Sequence, residues 1–204
     1  VFTRLITEYA DVFDYVEPEY QGALYAEISP RSFSIKVSEG SKLNQIRFRH
    51  LAPAHEKYRS FALSDSELRQ LHDASPLVDG EPHIRHGLHV RVNLKGSAGS
   101  ALIGYRAQQH TGVVDVNEVG KYPARDFWDP IYARANGRLI LDPREFYILA
   151  SQEALHIPPE YAAEMVPIDP MMGEFRVHYA GFFDPGFGHA AAGGAGSRAV
   201  LEVR

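Results

Sequence analysis

Tyr15-Val16-Glu17-Pro18-Glu19-Tyr20-Gln21-Gly22, followed by an apolar run that reaches Glu27, is the stretch on which the fold turns, because it recurs. Late in the chain stands Phe182-Phe183-Asp184-Pro185-Gly186-Phe187-Gly188, followed by an apolar run that reaches Glu202. Each copy has an aromatic, an apolar residue, an acid, a proline, one spacer and a second aromatic. Each then places a glutamate inside an apolar strand pattern. The acid-to-glutamate spacing is ten residues in the first copy and eighteen in the second, the excess being an Ala/Gly-rich insertion from His189 to Gly196. Self-similarity of this kind marks a duplicated structural unit.

Outward from the first copy, two-residue alternation puts Ala23, Tyr25, Glu27 and Ser29 on one face of a strand and Leu24, Ala26 and Ile28 on the other. After the break at Pro30-Arg31-Ser32, Phe33, Ile35 and Val37 alternate as a second strand. Beyond the turn at Glu39-Gly40-Ser41, Leu43 to Phe48 reads as a third, with Ile46 and Phe48 inward. Residues 51–86 change character and read as a link between two domains. Within them Ser64-Asp65-Ser66-Glu67 is a capping box ahead of Leu68 and Leu71, so a short helix starts there. From Gly87 strands resume: Leu88, Val90, Val92 and Leu94 face one way, and further apolar runs follow at 101–105, 112–116, 138–141 and 145–150. The architecture expected is mainly β with few short helices.

The chain has 204 residues, of which 45% are hydrophobic, so a packed core is within reach. Its net charge of -5 argues against a nonspecific nucleic-acid binder, which needs a basic face. Zero cysteines exclude disulfides and zinc–thiolate sites. No apolar run is long enough to span a membrane, and no signal peptide is visible, so a cytoplasmic location is expected. Val1 already lies inside an apolar segment and residues 200–204 read as a strand in progress, so the sequence is expected to be part of a longer protein.

Glu27 and Glu202 are the first candidates for chemistry. A carboxylate partly buried in an apolar strand becomes a proton shuttle near neutral pH. An exposed strand glutamate is the ordinary alternative, and the duplication weighs against it. Glu17 and Asp184 precede prolines, which is turn chemistry first; a functional role would be accepting a hydrogen bond from a sugar hydroxyl. His83, His86 and His89 do not converge by spacing, so no metal is expected there. The glycine-rich stretch 190–196 precedes a strand rather than a helix, lacks the helix dipole of a phosphate cradle, and reads as a flexible lid or linker.

With these residues in view, both copies resemble the dCTP deaminase segment Ile-Asp-Pro-Gly-Trp-x-Gly, which in that family is followed ten residues after the acid by the catalytic glutamate. Glu39 to Phe48 looks like the family's glycine turn and next strand. Phe146 to Glu153 with Ile157-Pro158-Pro159-Glu160 looks like the strand and proline turn upstream of the active site. Phe175 to Gly188 and Glu27 to Arg31 resemble the long, tandem-repeat bacterial form.

The resemblance implies a dUTPase-like β-barrel (β-clip) repeated twice: 1–50 as the C-terminal part of the first repeat, 51–86 as linker, and 87–204 as the second. It implies hydrolysis of dCTP to dUTP and ammonia by a glutamate-activated water, with Glu27 and Glu202 catalytic. Glu17, Tyr20, Tyr25, Ala26, Gln45, Arg176, Ala180, Asp184, Phe187, Val200 and Leu201 would bind nucleotide. No metal takes part in the chemistry, magnesium would accompany the triphosphate, and the assembly is a homo-oligomer, a trimer or pseudo-trimer of repeats. The family's Ser-Ser-x-x-x-Arg phosphate motif would fall before Val1 in the first copy. In the second its place holds Asp169 to Arg176 without serines, which makes the first copy the better catalyst. A dUTP pyrophosphatase of the same fold, and a non-catalytic nucleotide-binding or structural second repeat, are the alternatives.

Overall fold

The computed structural model describes residues 1–9, 11–48, 62–97, 99–166 and 181–203. Strands β1 (Phe2–Thr7), β2 (Leu24–Ser29) and β3 (Ile35–Lys36) come first, then helix α1 (Asp65–Ala74). β4 (His83–Ile84), β5 (Leu88–His89), β6 (Leu102–Ala107), β7 (Val114–Asp115) and β8 (Trp128–Tyr132) follow. β9 (Tyr147–Leu155), β10 (Ala163–Glu164), β11 (Phe182–Phe183) and β12 (Ser197–Val203) complete the described set. The chain is thus mainly β, and the described strands do not close into a barrel: they form one four-stranded sheet and four two-stranded ribbons.

Two packing units divide the chain, and they do not follow sequence order. The first comprises residues 1–52 and 108–128, the second residues 53–107 and 129–204. Residues 108–128 join the first unit because β7 pairs with β3 in parallel, Ile35 opposite Val114 and Lys36 opposite Asp115. The Lys36 ammonium lies 3.0 Å from the Asp115 carboxylate, and Asn117 exchanges hydrogen bonds with Ser38 and Ser41. Phe33 meets Phe127 and Trp128 edge-on, at ring-centroid distances of 5.3 and 5.2 Å, a small aromatic centre. In the same unit β1 and β2 form an antiparallel ribbon, Phe2 opposite Ser29 through Thr7 opposite Leu24. Two strands alone cannot bury either face, and every residue of β2 but Ser29 is exposed.

The second unit holds the four-stranded sheet, in the order β12-β9-β6-β8. Alternation along β12 buries Ala199, Leu201 and Val203, and along β9 it buries Tyr147, Leu149, Ser151, Glu153 and Leu155. The apolar members of both sets, with Val78, form the core, and Leu88, Val90, Val92 and Phe187 pack against it. Between Arg198 and Val200 the register shifts, so that Ser151, Gln152 and Glu153 together oppose Ala199 alone. This bulge is fully wired. The Ser151 hydroxyl donates to the Glu153 carbonyl (2.6 Å) and accepts from the Ala199 N–H (2.8 Å). Arg198 donates to the carbonyls of Ser151 and Gln152. The Glu153 carboxylate accepts from the Arg91 backbone N–H (2.7 Å) and from its Nε (2.6 Å). Two polar side chains therefore sit in the core with hydrogen-bond partners that offset their desolvation.

Helix α1 begins where the sequence puts it: Ser64 is the N-cap, its hydroxyl accepts from the Glu67 N–H, and the Glu67 carboxylate accepts from the Ser64 N–H at 2.7 Å. Other expectations fail, with no strand pairing to these segments among the described residues. Residues 43–48 form no strand, and Ile46 and Phe48 point outward rather than in. Residues 138–141 are not a strand either, although Leu139 and Leu141 still pack on the core. Stretch 190–196 is no open linker. His189 Nδ1 accepts from the Ala191 N–H and caps a 3-10 turn at Ala190–Ala192. Gly196 N–H donates to the Gly188 carbonyl at 2.8 Å, and a Cβ at Gly188 would collide with the Leu155 carbonyl.

Candidate active site

Glu27 owes its surroundings to the ribbon's register. It sits directly opposite Arg4 on β1, and residues paired across a ladder point to the same side. Phe2 and Arg4 on β1 therefore share a face with Tyr25, Glu27 and Ser29 on β2. The segment before β2 folds back onto this ribbon: Asp14 N–H donates to the Leu5 carbonyl, and Leu5 N–H donates to the Asp14 carboxylate. That fold-back lets the Phe13 ring reach the Arg4 guanidinium, 4.8 Å from the ring centroid.

Contrary to the expectation of partial burial, Glu27 is exposed, and among the described residues its carboxylate makes no hydrogen bond or ion pair. A carboxylate in this state can accept a proton from a water without first giving up a partner. Tyr25 stands two residues earlier on the same face. Its phenol donates to the Glu8 carboxylate at 3.2 Å, and that bond together with the Glu8 charge raises the phenol above its ordinary value. Tyr20 is engaged locally, donating to the Ala23 carbonyl (2.7 Å) and accepting from the Glu8 N–H (3.1 Å). Glu17 is exposed, and its carbonyl accepts from the Tyr20 N–H, which makes it a turn residue. Ala26 pairs with Leu5 and points to the opposite face from Glu27. Gln45 is exposed on the non-strand segment 43–48 and makes no hydrogen bond to the ribbon among the described residues.

The second copy is built differently. Glu202 lies on β12 opposite Ile148, on the sheet face away from Leu201, and is half-buried. Val200 shares that face and is exposed, whereas the Leu201 side chain belongs to the core, leaving only its backbone for a ligand. Asp184 is exposed, and its carbonyl accepts from the Phe187 N–H at 3.0 Å. Phe187 meets Phe183 at a tilt, with ring centroids 5.0 Å apart, and packs on the core, so it serves the fold first. Arg176 and Ala180 lie outside the described residues.

Arg4, Phe2 and Phe13 are members of the Glu27 face that sequence reading misses. Only the β1–β2 register reveals them, and nothing local in 1–13 announces it. Among the described residues no group of three or more histidines, aspartates or glutamates is placed to hold a metal ion, and no helix is long and apolar enough to cross a membrane.

Residues 1–52 match the family model of the 2'-deoxycytidine 5'-triphosphate deaminase N-terminal domain, and residues 64–204 that of the C-terminal domain. The crystal structure of 2'-deoxycytidine 5'-triphosphate deaminase from Agrobacterium tumefaciens superposes with a TM-score of 0.88 at 54% sequence identity. The match covers 100% of this chain and 59% of that one, so the chain spans well under two thirds of its relative's length. Comparison with curated proteins gives no significant match. By these matches the chain belongs to the 2'-deoxycytidine 5'-triphosphate deaminase family.

Proposed function

We propose that the protein deaminates dCTP to dUTP and ammonia, with Glu27 as the general base and acid. The observation that carries this reading is the Glu27 carboxylate itself: ten residues after Glu17 in the family's motif, solvent-exposed and without a partner among the described residues. Glu27 takes a proton from a water as the oxygen bonds to cytosine C4. The resulting tetrahedral carbon carries both the new hydroxyl and the amino group. Addition of the oxygen pushes the C4–N3 π electrons onto N3. Glu27 then returns its proton to the amino nitrogen, and the C4–N bond to that nitrogen breaks as the N3 electron pair re-forms the ring double bond. Transfer of the hydroxyl proton to N3 gives uracil and ammonia. All atoms and charges balance without a redox partner. No metal is needed for these steps, and magnesium enters with the triphosphate.

In this reading Glu17, Tyr20, Tyr25, Ala26 and Gln45 border the first nucleotide site. Asp184, Phe187, Val200, Leu201, Arg176 and Ala180 border the second. Each repeat completes a dUTPase-like barrel in a cytoplasmic homo-oligomer of the long, tandem-repeat form. Half-burial of Glu202 and the missing serines in 169–176 favour a second repeat that binds nucleotide or supports the fold without turning over.

Ammonia release by Glu27→Gln and Glu202→Gln variants, with dCTP binding measured alongside, tests the assignment. Glutamine keeps the shape but cannot take the proton, so Glu27→Gln loses about 10²–10⁴-fold in turnover with binding largely kept. Glu202→Gln loses less. Wild-type turnover in both variants refutes the site, and release of pyrophosphate in place of ammonia identifies a dUTP pyrophosphatase instead.

A further inference from the structure

The β4–β5 hairpin brings together two histidines that sequence spacing leaves apart. His83 and His89 are direct partners across the antiparallel ladder, and Ile84 lies opposite Leu88. The two imidazoles therefore stand on one side of the hairpin and the two aliphatic side chains on the other. The imidazole centroids are 4.7 Å apart, with the ring planes tilted by 38°. One ring is already oriented. The Arg85 carbonyl can only accept, so His89 donates to it through Nε2, at 2.7 Å. That puts the hydrogen on Nε2 and leaves the Nδ1 lone pair for a ligand, the arrangement in which a metal-binding histidine is held from its far side. His83 is exposed, and among the described residues neither of its ring nitrogens, nor His89 Nδ1, meets a hydrogen-bond partner.

The separation suits a shared cation. A metal about 2.0–2.1 Å from an imidazole nitrogen sits about 3.2 Å from the ring centroid, so two rings bound at about 90–109° have centroids about 4.5–5.2 Å apart. The 4.7 Å found here falls towards the right-angled end of that range, which suits tetragonal copper(II) or nickel(II). The hairpin also has use for such a tie. Each of its strands is two residues long, too short to hold by pairing alone. Its turn is anchored to helix α1, where the Asp65 carboxylate accepts from the His86 and Gly87 N–H groups at 2.9 and 3.0 Å. Arg69 of the same helix donates to the Ile84 carbonyl at 2.9 Å. The histidine pair stands at the other, open end.

We propose that His83 and His89 form a two-nitrogen site for a late transition-metal dication, copper(II) binding best, with water filling the remaining positions and the ion closing the open end of the hairpin. No group of three or more histidines, aspartates or glutamates is placed to hold a metal among the described residues. The ion is therefore exchangeable rather than a permanent structural centre.

Titration calorimetry of the protein with copper(II), followed by electron paramagnetic resonance at one equivalent, tests the site. The wild type is expected to take up one tight equivalent with two nitrogen donors. The second imidazole binds intramolecularly, so His83→Gln and His89→Gln are each expected to weaken that equivalent about 10²-fold, with one nitrogen lost from the spectrum. Zinc(II) follows the same ranking at lower affinity. Copper(II) raises the melting temperature of the wild type more than that of either variant. His83 is exposed and makes no hydrogen bond among the described residues, so its variant stays informative if His89→Gln, which loses the Arg85 tie, disturbs the turn. Equal copper(II) affinity in wild type and His83→Gln, or a one-equivalent spectrum with fewer than two nitrogens, overturns the proposal.

Discussion

Glu27 and Glu202 occupy matching places in a duplicated sequence pattern, yet they sit in sheets of different construction. Glu27 rides a two-stranded ribbon whose second strand is exposed along almost its whole length. Glu202 rides the edge strand of a four-stranded sheet, where every second residue is driven into a shared core. The same local pattern therefore yields an exposed carboxylate, without a partner among the described residues, in one case and a half-buried one in the other. A motif copies residue types; environment is set by what pairs and packs against the strand, and that is not duplicated with it. Nor is the charge around the two alike: Glu27 faces Arg4 across the ladder, and Glu202 faces Ile148.

The sharpest way to break this contrast is to remove equivalent bulk from each sheet. Leu201 is 3% exposed and pairs with Leu149 inside the core, so Leu201→Ala opens a cavity and costs about 2–5 kcal/mol. Ile28 on the ribbon is 40% exposed, and Ile28→Ala costs about 0.5 kcal/mol or less, as at ordinary surface positions. Denaturant unfolding of the two variants measures both. Equal losses would mean that the ribbon is as well packed as the sheet, and the difference between the two glutamates would need another cause.

A second, smaller effect sharpens the account of the β9 bulge. Burial pushes the Glu153 carboxyl up, but the hydrogen bonds from the Arg91 N–H and guanidinium outweigh it and hold the group below its ordinary value. A carboxyl depressed in the folded state binds fewer protons there than in the unfolded chain. Its stabilisation is present above the ordinary glutamate value of about 4.3 and is lost as pH falls through the depressed folded value. Glu153→Gln should cost about 1–3 kcal/mol at neutral pH, because it removes bonds to a charged acceptor. The variant should also lose stability less steeply than wild type below about pH 4.3. Parallel acid-unfolding curves would show that Arg91 contributes packing rather than charge.

Much of this was legible in the sequence where the determinants are local. Alternation located β2, an apolar run at 145–150 located the start of β9, the strand reading of 200–204 located the end of β12, and the aromatic–acid–proline repeat located the two glutamates. What escaped was nonlocal. The register that sets Arg4 opposite Glu27 joins strands separated by a long connection, and the β3–β7 pairing joins residues 79 apart in sequence, as Ile35 and Val114 are. Residues 43–48 carry a good strand pattern and still form none, because alternation states only that a segment can pair. The wiring of Ser151 and Glu153 into the core was equally hidden: a serine and a glutamate in a strand read as surface residues until Arg91 and Ala199 are placed beside them.

Helix α1 gives the smallest effect and the closest agreement between sequence and structure. Its start depends on four consecutive residues. The Ser64 hydroxyl accepts from the Glu67 N–H at 3.3 Å, and the Glu67 carboxylate returns the bond to the Ser64 N–H. Asp65 adds a second tie by accepting from the His86 and Gly87 N–H groups, first of all that of His86, which holds its carboxyl below the ordinary value. Ser64→Ala removes one acceptor from the open helix end and should cost about 1 kcal/mol, while Ser64→Asp, which restores an acceptor and adds charge suited to the helix dipole, should recover most of it. None of the helix's residues is fully buried, so little packing is at stake and the loss should read the cap almost alone. Loss of the whole helical signal in Ser64→Ala, with no recovery in Ser64→Asp, would show that the serine does more than cap. The hairpin held by Asp65 would then be the place to look for the missing energy.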